Sequence, residues 1–418
     1  MIQKPKGTFD IMPEQTPVWQ YIENIAKATA RSFGYGEIRT PTFEATELFT
    51  RGVGESSDVV TKEMYTFTDR ENRSFTLRPE GTASVARALI ENGRCSDALP
   101  LKLYYLINCF RYEKPQAGRS REFYQYGVEM YGAADAAADA EVISLAHTIL
   151  SNIGVENTEL HINSIGCPEC RPKYRQALIE YFGRHTDKLC DTCKDRLEKN
   201  PLRILDCKSP ICHEVAKDAP KTVDFLCDDC KAHMEKLKAH LEEMKIPYKI
   251  DTNIVRGLDY YSRTVFEFVC DSIGAQSTVC GGGRYDGLLK EIGGPSLPGI
   301  GFAMGITRII LALEAQGKLP DTKNEMLLYI ASMGNEAQKR ASGIVARLRE
   351  KGIYAEYDLV SRSLKAQMKY ADKKGARYTL IIGDNEIEQG KAILKNMRES
   401  TQTEVDFDDA DALLEALK

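Results

Sequence analysis

The stretch Leu103–Gly132, LYYLINCFRYEKPQAGRSREFYQYGVEMYG, constrains this chain more than any other, because it reads as two strands joined by a basic loop. Alternation puts Arg111 in line with Leu103, Tyr105, Ile107 and Cys109 on the first strand. On the second, Gln125, Gly127 and Glu129 share one face, while Tyr126, Val128 and Met130 take the other. A glycine between two polar side chains leaves room on that face for a small polar ligand. Arg111, Arg119 and Arg121 supply planar, permanently charged forks that pair with phosphate oxygens two at a time. A solvated hairpin with ordinary surface charges would read the same way, so the hairpin needs support from elsewhere in the chain.

Further segments supply it. Arg78-Pro79-Glu80-Gly81-Thr82 stands just before a helix-like run, and Arg256-Gly257-Leu258-Asp259-Tyr260-Tyr261 precedes a strand from Thr264 to Cys270. In GIGFAMGITRIILAL, Gly299 to Leu313, a strand of small residues turns into a helix with Arg308 in its first turns. Together with Ile38-Arg39-Thr40-Pro41 and the run GGGRYDGL from Gly281 to Leu288, these segments resemble histidyl-tRNA synthetase, a class II aminoacyl-tRNA synthetase family. The hairpin is similar to motif 2 of that class, Gly299–Leu313 to motif 3, and the helix–strand unit ending at Pro41 to motif 1. Arg256–Tyr261 and Gly281–Leu288 resemble the two motifs peculiar to the histidine enzyme. The resemblance covers nearly the whole chain, with the motifs in family order.

The resemblance implies a reaction: histidine and ATP give histidyl-adenylate and pyrophosphate, and histidine then passes to the 3′-terminal ribose of its cognate tRNA. A carboxylate must attack an α-phosphate that is already negative, so positioning and charge neutralisation dominate the catalysis. By residue-for-residue match, Arg111 and Arg256 are the catalytic pair, flanking the α-phosphate from two sides. Arg119 would hold the distal phosphates, with Phe123 and Arg308 sandwiching adenine. Mg²⁺ would accompany the ATP. Glu80, Thr82 and Gln125 would take the histidine ammonium, and Glu129 and Tyr261 the two imidazole nitrogens, with Tyr260 lining the pocket. Taken alone, Tyr260 reads equally as core and Glu80 as a helix-start residue. Lys114 and Gln116 match positions that read the tRNA acceptor end. Many relatives carry arginine where Lys114 stands, so charge is kept and a bidentate contact is not.

A chain of 418 residues has room for two or three domains. The resemblance implies an α+β catalytic domain over 1–320, an antiparallel sheet flanked by helices. Within it, 166–245 is rich in Cys, Lys, Asp and Glu and reads as a mostly helical insertion. Earlier, Thr16-Pro17 reads as a capping residue and first-turn proline of a helix running to about Phe33. From 325 to 418 strand and helix alternate, predicting a small α/β domain with a parallel sheet, similar to the family's anticodon-binding domain. There Lys365, Lys369 and Lys373 recur at helical spacing opposite Leu364, Met368 and Ala371. That face could contact phosphates or simply be solvated. The net charge of −5 offers a nucleic acid no global attraction, so a tRNA must be met by local basic patches. No signal-peptide core and no membrane-length apolar run is visible, so a cytoplasmic protein is expected. Motif 1 implies a homodimer.

Eight of the 12 cysteines fall in the insertion: Cys167 and Cys170, Cys190 and Cys193, Cys207 and Cys212, Cys227 and Cys230. They suffice for two four-cysteine zinc sites of a structural kind, or they are reduced thiols without a ligand. Gly281-Gly282-Gly283 lacks the following Gly-Lys-Ser/Thr of a Walker A loop, and reads as a close-packed floor under substrate or as a tight turn. Two other functions stay open at this point. One is a synthetase-like regulatory subunit of the first enzyme of histidine biosynthesis, binding histidine without acylating. The other is a zinc-dependent nucleic-acid module, which leaves the hairpin unexplained.

Overall fold

The computed structural model of the chain describes all residues but 55, 56, 206, 208, 255, 323, 324 and 418, and all but the side chains of 275, 276 and 410. Two compact units result, Met1–Asp321 and Thr322–Lys418. In the first, α1 (Thr16–Ser32) leads to β1 (Gly36–Glu37), β2 (Phe43–Ala45), α2 (Thr46–Val53), β3 (Tyr65–Thr68), β4 (Ser74–Leu77) and α3 (Thr82–Glu91). The hairpin β5 (Leu101–Phe110) and β6 (Glu122–Tyr131) follows, then α4 (Ala136–Ile153) and β7 (Thr158–Ser164). Four helices come next: α5 (Cys170–Gly183), α6 (Asp191–Lys199), α7 (Pro210–Ala216) and α8 (Asp228–Glu243). The unit closes with β8 (Tyr248–Ile250), β9 (Ser262–Cys270), β10 (Thr278–Arg284), α9 (Leu288–Glu291), β11 (Gly299–Gly305) and α10 (Ile306–Ala315).

Its main sheet runs β1-β5-β6-β11-β10-β9-β7-β8. The inner pairs are antiparallel, and only the edge pairs β1–β5 and β7–β8 are parallel. Strand alternation splits the hairpin between two cores. Tyr104, Tyr126, Val128 and Met130 pack with α1 and α4, while Tyr105, Ile107, Cys109 and Tyr131 pack on the opposite face with α3 and Tyr260, Tyr261 and Tyr285. The site therefore lies on the second face, with the helical layer as its backing.

Local details differ from expectation in two places. Thr16 is the first helical residue and not the cap; its hydroxyl donates to the carbonyl of Met12, and no side chain caps α1. Gly281-Gly282-Gly283 is neither turn nor loop but the middle of β10, paired on both sides. A Cβ on Gly282 would lie 2.2 Å from the carbonyl oxygen of Gly301, so only glycine lets these strands approach so closely.

The second unit contains β12 (Leu328–Ser332), α11 (Asn335–Glu350), β13 (Ala355–Tyr357), α12 (Leu364–Lys373), β14 (Tyr378–Ile382), α13 (Asp384–Gln389), β15 (Lys391–Asn396), β16 (Gln402–Asp406) and α14 (Ala410–Ala416). Its sheet order is β13-β12-β14-β15-β16. The first three strands are parallel, joined by helical crossovers. β15 and β16 add an antiparallel hairpin, so the sheet is mixed and not wholly parallel. On α12, Ala371 and Gln367 are buried, and the Gln367 amide bonds both backbone groups of Ser332 at 2.9 and 2.8 Å. Lys365, Lys369 and Lys373 are exposed on that helix.

Candidate active site

A cleft of about 820 Å³ opens on the second face of the main sheet. It is lined by Glu80, Thr82, Arg111, Arg119, Phe123, Gln125, Arg256, Tyr260, Tyr261 and Arg308, which come from five separate stretches of chain. The folding brings together ten of the residues singled out by sequence. Glu129 lies below the lining, and Lys114 and Gln116 stand exposed on the β5–β6 loop outside it. Arg121 also faces elsewhere, its guanidinium 3.9 Å from the ring centre of Tyr112.

At one end three guanidiniums converge. Arg111 follows the last residue of β5; its Nε donates to the carbonyl of Pro79 at 2.8 Å, and its Cζ lies 5.3 Å from the centre of the Phe123 ring. Arg119 pairs with Glu113 at 3.1 Å, and the same carboxylate lies 3.9 Å from Arg111. Arg308, in the first turn of α10, donates to the carbonyls of Gly118 and Thr278 at 3.1 and 2.8 Å, tying the hairpin loop to β10. Burial, and then the nearby charges of Arg119 and Arg111, push its pKa below the usual arginine value. Three like charges held this close favour an anion among them.

Arg256 lines the same cleft and pairs with Glu267. Burial works against its charge, but Tyr261 and Glu267 more than offset that and raise its pKa. Its Nε meets no acceptor among the described residues. A Cβ on Gly281 would lie 2.5 Å from its Nη1, so the first glycine of the triplet makes room for an arginine. Glu267 also accepts from the Thr278 hydroxyl at 2.9 Å.

At the other end the site is carboxylates and phenols. Glu80 accepts from the backbone N–H groups of Thr82 and Ala83 at 2.6 and 2.8 Å, a carboxylate at the positive end of α3. It is thus a helix-start residue and a lining residue at once. Burial raises its pKa against those two hydrogen bonds. Glu129 accepts from Thr82 and Tyr105 hydroxyls at 2.8 and 3.1 Å and from Tyr285. Even so, burial pushes its pKa up to about 8.

The space above Gly127 is not free for a ligand. A Cβ there would lie 2.1 Å from Tyr105 Cζ, and Tyr105 is its direct partner across the hairpin. The glycine seats a tyrosine, which carries its hydroxyl to Glu129. Tyr105, Tyr285, Glu113 and Glu267 belong to the site although the sequence reading gives none of them a site role. Aromatics in alternating strands look like core, and only the Tyr105–Gly127 pairing in a hairpin register hints otherwise.

Comparison with known proteins bears on the same architecture. A family model described as histidyl-tRNA synthetase matches residues 7–309, and one described as anticodon binding domain matches 328–417. A histidine–tRNA ligase of Acetivibrio thermocellus is 54% identical over 409 residues, 98% of each chain. One of Clostridium botulinum (strain Loch Maree / Type A3) is 50% identical over 417 residues, covering 100% of both. The chain belongs to the histidyl-tRNA synthetase family. The family's fold is present too: the crystal structure of apo S. aureus histidyl-tRNA synthetase superposes with a TM-score of 0.84, at 41% identity and with 100% of both chains covered. A Bacillus halodurans structure named as an ATP phosphoribosyltransferase regulatory subunit/histidyl-tRNA synthetase is more distant, at 25% identity and TM-score 0.67 over 92% of this chain and 98% of that one.

Proposed function

We infer that this cleft is where the chain, as an ATP-dependent histidine–tRNA ligase, activates histidine and passes it to the 3′ end of its tRNA. The observation that carries the reading is the gathering of Arg111, Arg119, Arg308 and Arg256 in one cleft with carboxylates and phenols. Such an array suits a triphosphate flanked by a small zwitterion.

In this reading Glu113 holds Arg119 and Arg111 in place until the ATP phosphates arrive and take over those charges. Arg111 and Arg256 approach the α-phosphate from two sides, and Arg256 has a spare buried donor for it. Arg119 takes the distal phosphates. Phe123 and Arg308 enclose the adenine. Class II synthetases use Mg²⁺ with ATP, and the phosphates would carry it into the cleft. Glu80, Thr82 and Gln125 receive the ammonium. Tyr261, with Tyr260 beside it, meets the imidazole, and Glu129 acts from beneath once Tyr105 and Thr82 yield a bond to the ligand. The pocket rejects other amino acids because its polar groups would be left unpaired.

The finer assignments belong to the same proposal. Lys114 and Gln116 on the exposed hairpin loop face the acceptor end of the tRNA, and the lysines of α12 contact its phosphates. Each insertion cysteine quartet holds a structural zinc ion. The protein works as a homodimer; the exposed Phe43 and Phe67, beside Phe75 on the separate three-stranded sheet β2-β4-β3 that follows motif 1, support a self-association face. No helix among the described residues is long and apolar enough to cross a membrane, and the cytoplasm is the proposed location.

The test is aminoacylation of a histidine tRNA transcript with labelled histidine. Charging that requires ATP and disappears in Arg111→Ala supports the reading. Histidine binding without charging would replace it with the regulatory function named for the Bacillus halodurans protein.

A further inference from the structure

The eight insertion cysteines form two quartets, Cys167/Cys170/Cys227/Cys230 and Cys190/Cys193/Cys207/Cys212, each with all its sulfurs within 4.8 Å of one another. None is in a disulfide. A tetrahedral zinc–thiolate site has arms of about 2.3 Å, hence sulfur–sulfur edges of about 3.8 Å. The recorded separations are 3.6 Å for Cys167–Cys170, 3.8 Å for Cys167–Cys227 and 3.9 Å for Cys190–Cys207. Backbone N–H groups point at the sulfurs: Cys190 to Cys212 at 3.2 Å, Ser209 to Cys207 at 3.5 Å and Cys227 to Cys170 at 3.1 Å. Donors of that kind neutralise thiolate charge around a bound cation.

The two quartets do different jobs in the chain. The first joins the entry of the insertion to its last helix, since Cys170 starts α5 and Cys227 precedes α8. The second closes a strap on itself, because Cys193 and Cys207 bracket a segment of the insertion whose Arg196 and Arg203 reach the cleft. From this strap Arg196 pairs with Asp58 at 3.0 Å, and Asn200 donates to Asp259 at 3.3 Å. Arg203, 8% exposed, donates to the carbonyl of Gly257. Arg196 also donates to the carbonyl of Arg203 at 3.0 Å, so the strap is braced internally. Arg196 and Arg203 both line the cleft.

Gly257 and Asp259 belong to the loop that carries Arg256 on one side and Tyr260 and Tyr261 on the other. On its far side the loop is held by α2, where the Asp259 N–H donates to Val53 at 3.1 Å. The strap supplies the opposing grip. We propose that the quartet Cys190/Cys193/Cys207/Cys212 binds a zinc-class cation that buckles this strap, and that the strap positions the Arg256–Tyr261 loop for substrate through Asn200 and Arg203. This rests on the reading of the cleft as the histidine-activating site. Asn200 and Arg203 are positioning residues, and the metal reaches the reaction only through them.

The experiment uses the full-length protein. Zinc is counted by mass spectrometry, and histidine-dependent exchange of pyrophosphate into ATP gives KM and kcat for the wild type, Cys207→Ser, Arg203→Met and Arg203→Lys. The wild type is expected to hold two zinc ions and Cys207→Ser one. Arg203→Met should keep both ions yet raise KM for histidine about tenfold, as misplacement of a substrate-positioning element does. Arg203→Lys should recover part of that loss. Cys207→Ser should show the same KM rise without substitution of any residue in the cleft. Equal zinc content in wild type and Cys207→Ser would overturn the metal site. An unchanged KM in Arg203→Met, with wild-type exchange intact, would overturn the strap's role. Absence of exchange in the wild type would instead remove the reading of the cleft, and the zinc counts would still decide the metal.

Discussion

Gly127 and Gly281 show how small residues shape this site. Each leaves room not for substrate but for a functional side chain, Tyr105 in one case and Arg256 in the other. Gly127→Ala forces a methyl into the Tyr105 ring and is expected to cost ~1–3 kcal/mol of stability, read by urea unfolding. Arg256→Ala is expected to lower the rate of adenylate formation by ~10²–10³, as removal of a charge-stabilising donor typically does, with the fold unchanged by circular dichroism. Glu129 carries a pH signature. Its carboxyl titrates at about 8 in the fold against an ordinary value of 4.5. Between those values the folded chain holds a proton that the unfolded chain has lost, so stability falls as pH rises from about 4.5 to about 8. Glu129→Gln removes the titrating group, and the melting temperature of that variant should decline less over this range than that of the wild type. The arginines of the cleft are legible in sequence only through their motifs taken together, since the hairpin alone reads equally as a solvated surface and its Arg121 turns to Tyr112. The phenols are not, since Tyr105 sits in apolar alternation and Tyr285 in a polar run after the glycine triplet, and only the fold turns them toward a carboxylate.

Among the elements, the motif-bearing ones were the easiest to read. β5, β6, β9, β11 and α10 lie within a few residues of where alternation and helical spacing put them. The harder ones are held by partners remote in sequence. Arg284, fully buried in the run after the glycine triplet, pairs with Asp139 of α4, and Asp139 also meets His233 of α8 at 3.2 Å. Burial alone would raise the Asp139 pKa, but His233 and Arg284 hold its carboxyl below the ordinary range. One carboxylate thus ties the sheet to α4 and to the last helix of the insertion. Asp139→Ala would strip buried Arg284 of its buried carboxylate and leave it only Asp286 and the carbonyls of Ala133 and Asp135, at an expected cost of ~1–3 kcal/mol in chemical denaturation. Sequence could not indicate this, because a lone Asp in the alanine-rich helix α4 looks solvated. The β15–β16 hairpin escaped for another reason: its connection, 397–401, has no glycine or asparagine of the tight-turn kind.

For the whole molecule, the division into Met1–Asp321 and Thr322–Lys418 separates the cleft from the α12 lysines by unit. If those lysines contact tRNA phosphates, replacing Lys365, Lys369 and Lys373 by alanine should raise KM for tRNA and flatten its dependence on salt. Pyrophosphate exchange, which needs no tRNA, should be unaffected. Overall acidity gave no hint of a nucleic-acid partner, and the second unit was assigned by its order of elements, not by charge. The account as a whole stands on the claim that the cleft activates histidine. The direct measurement is ATP–pyrophosphate exchange with each amino acid in turn. Exchange with histidine alone is predicted, and it should be lost in Arg111→Ala and Arg256→Ala. Exchange with no amino acid, from folded protein that binds histidine, or exchange that persists in both variants, would contradict it.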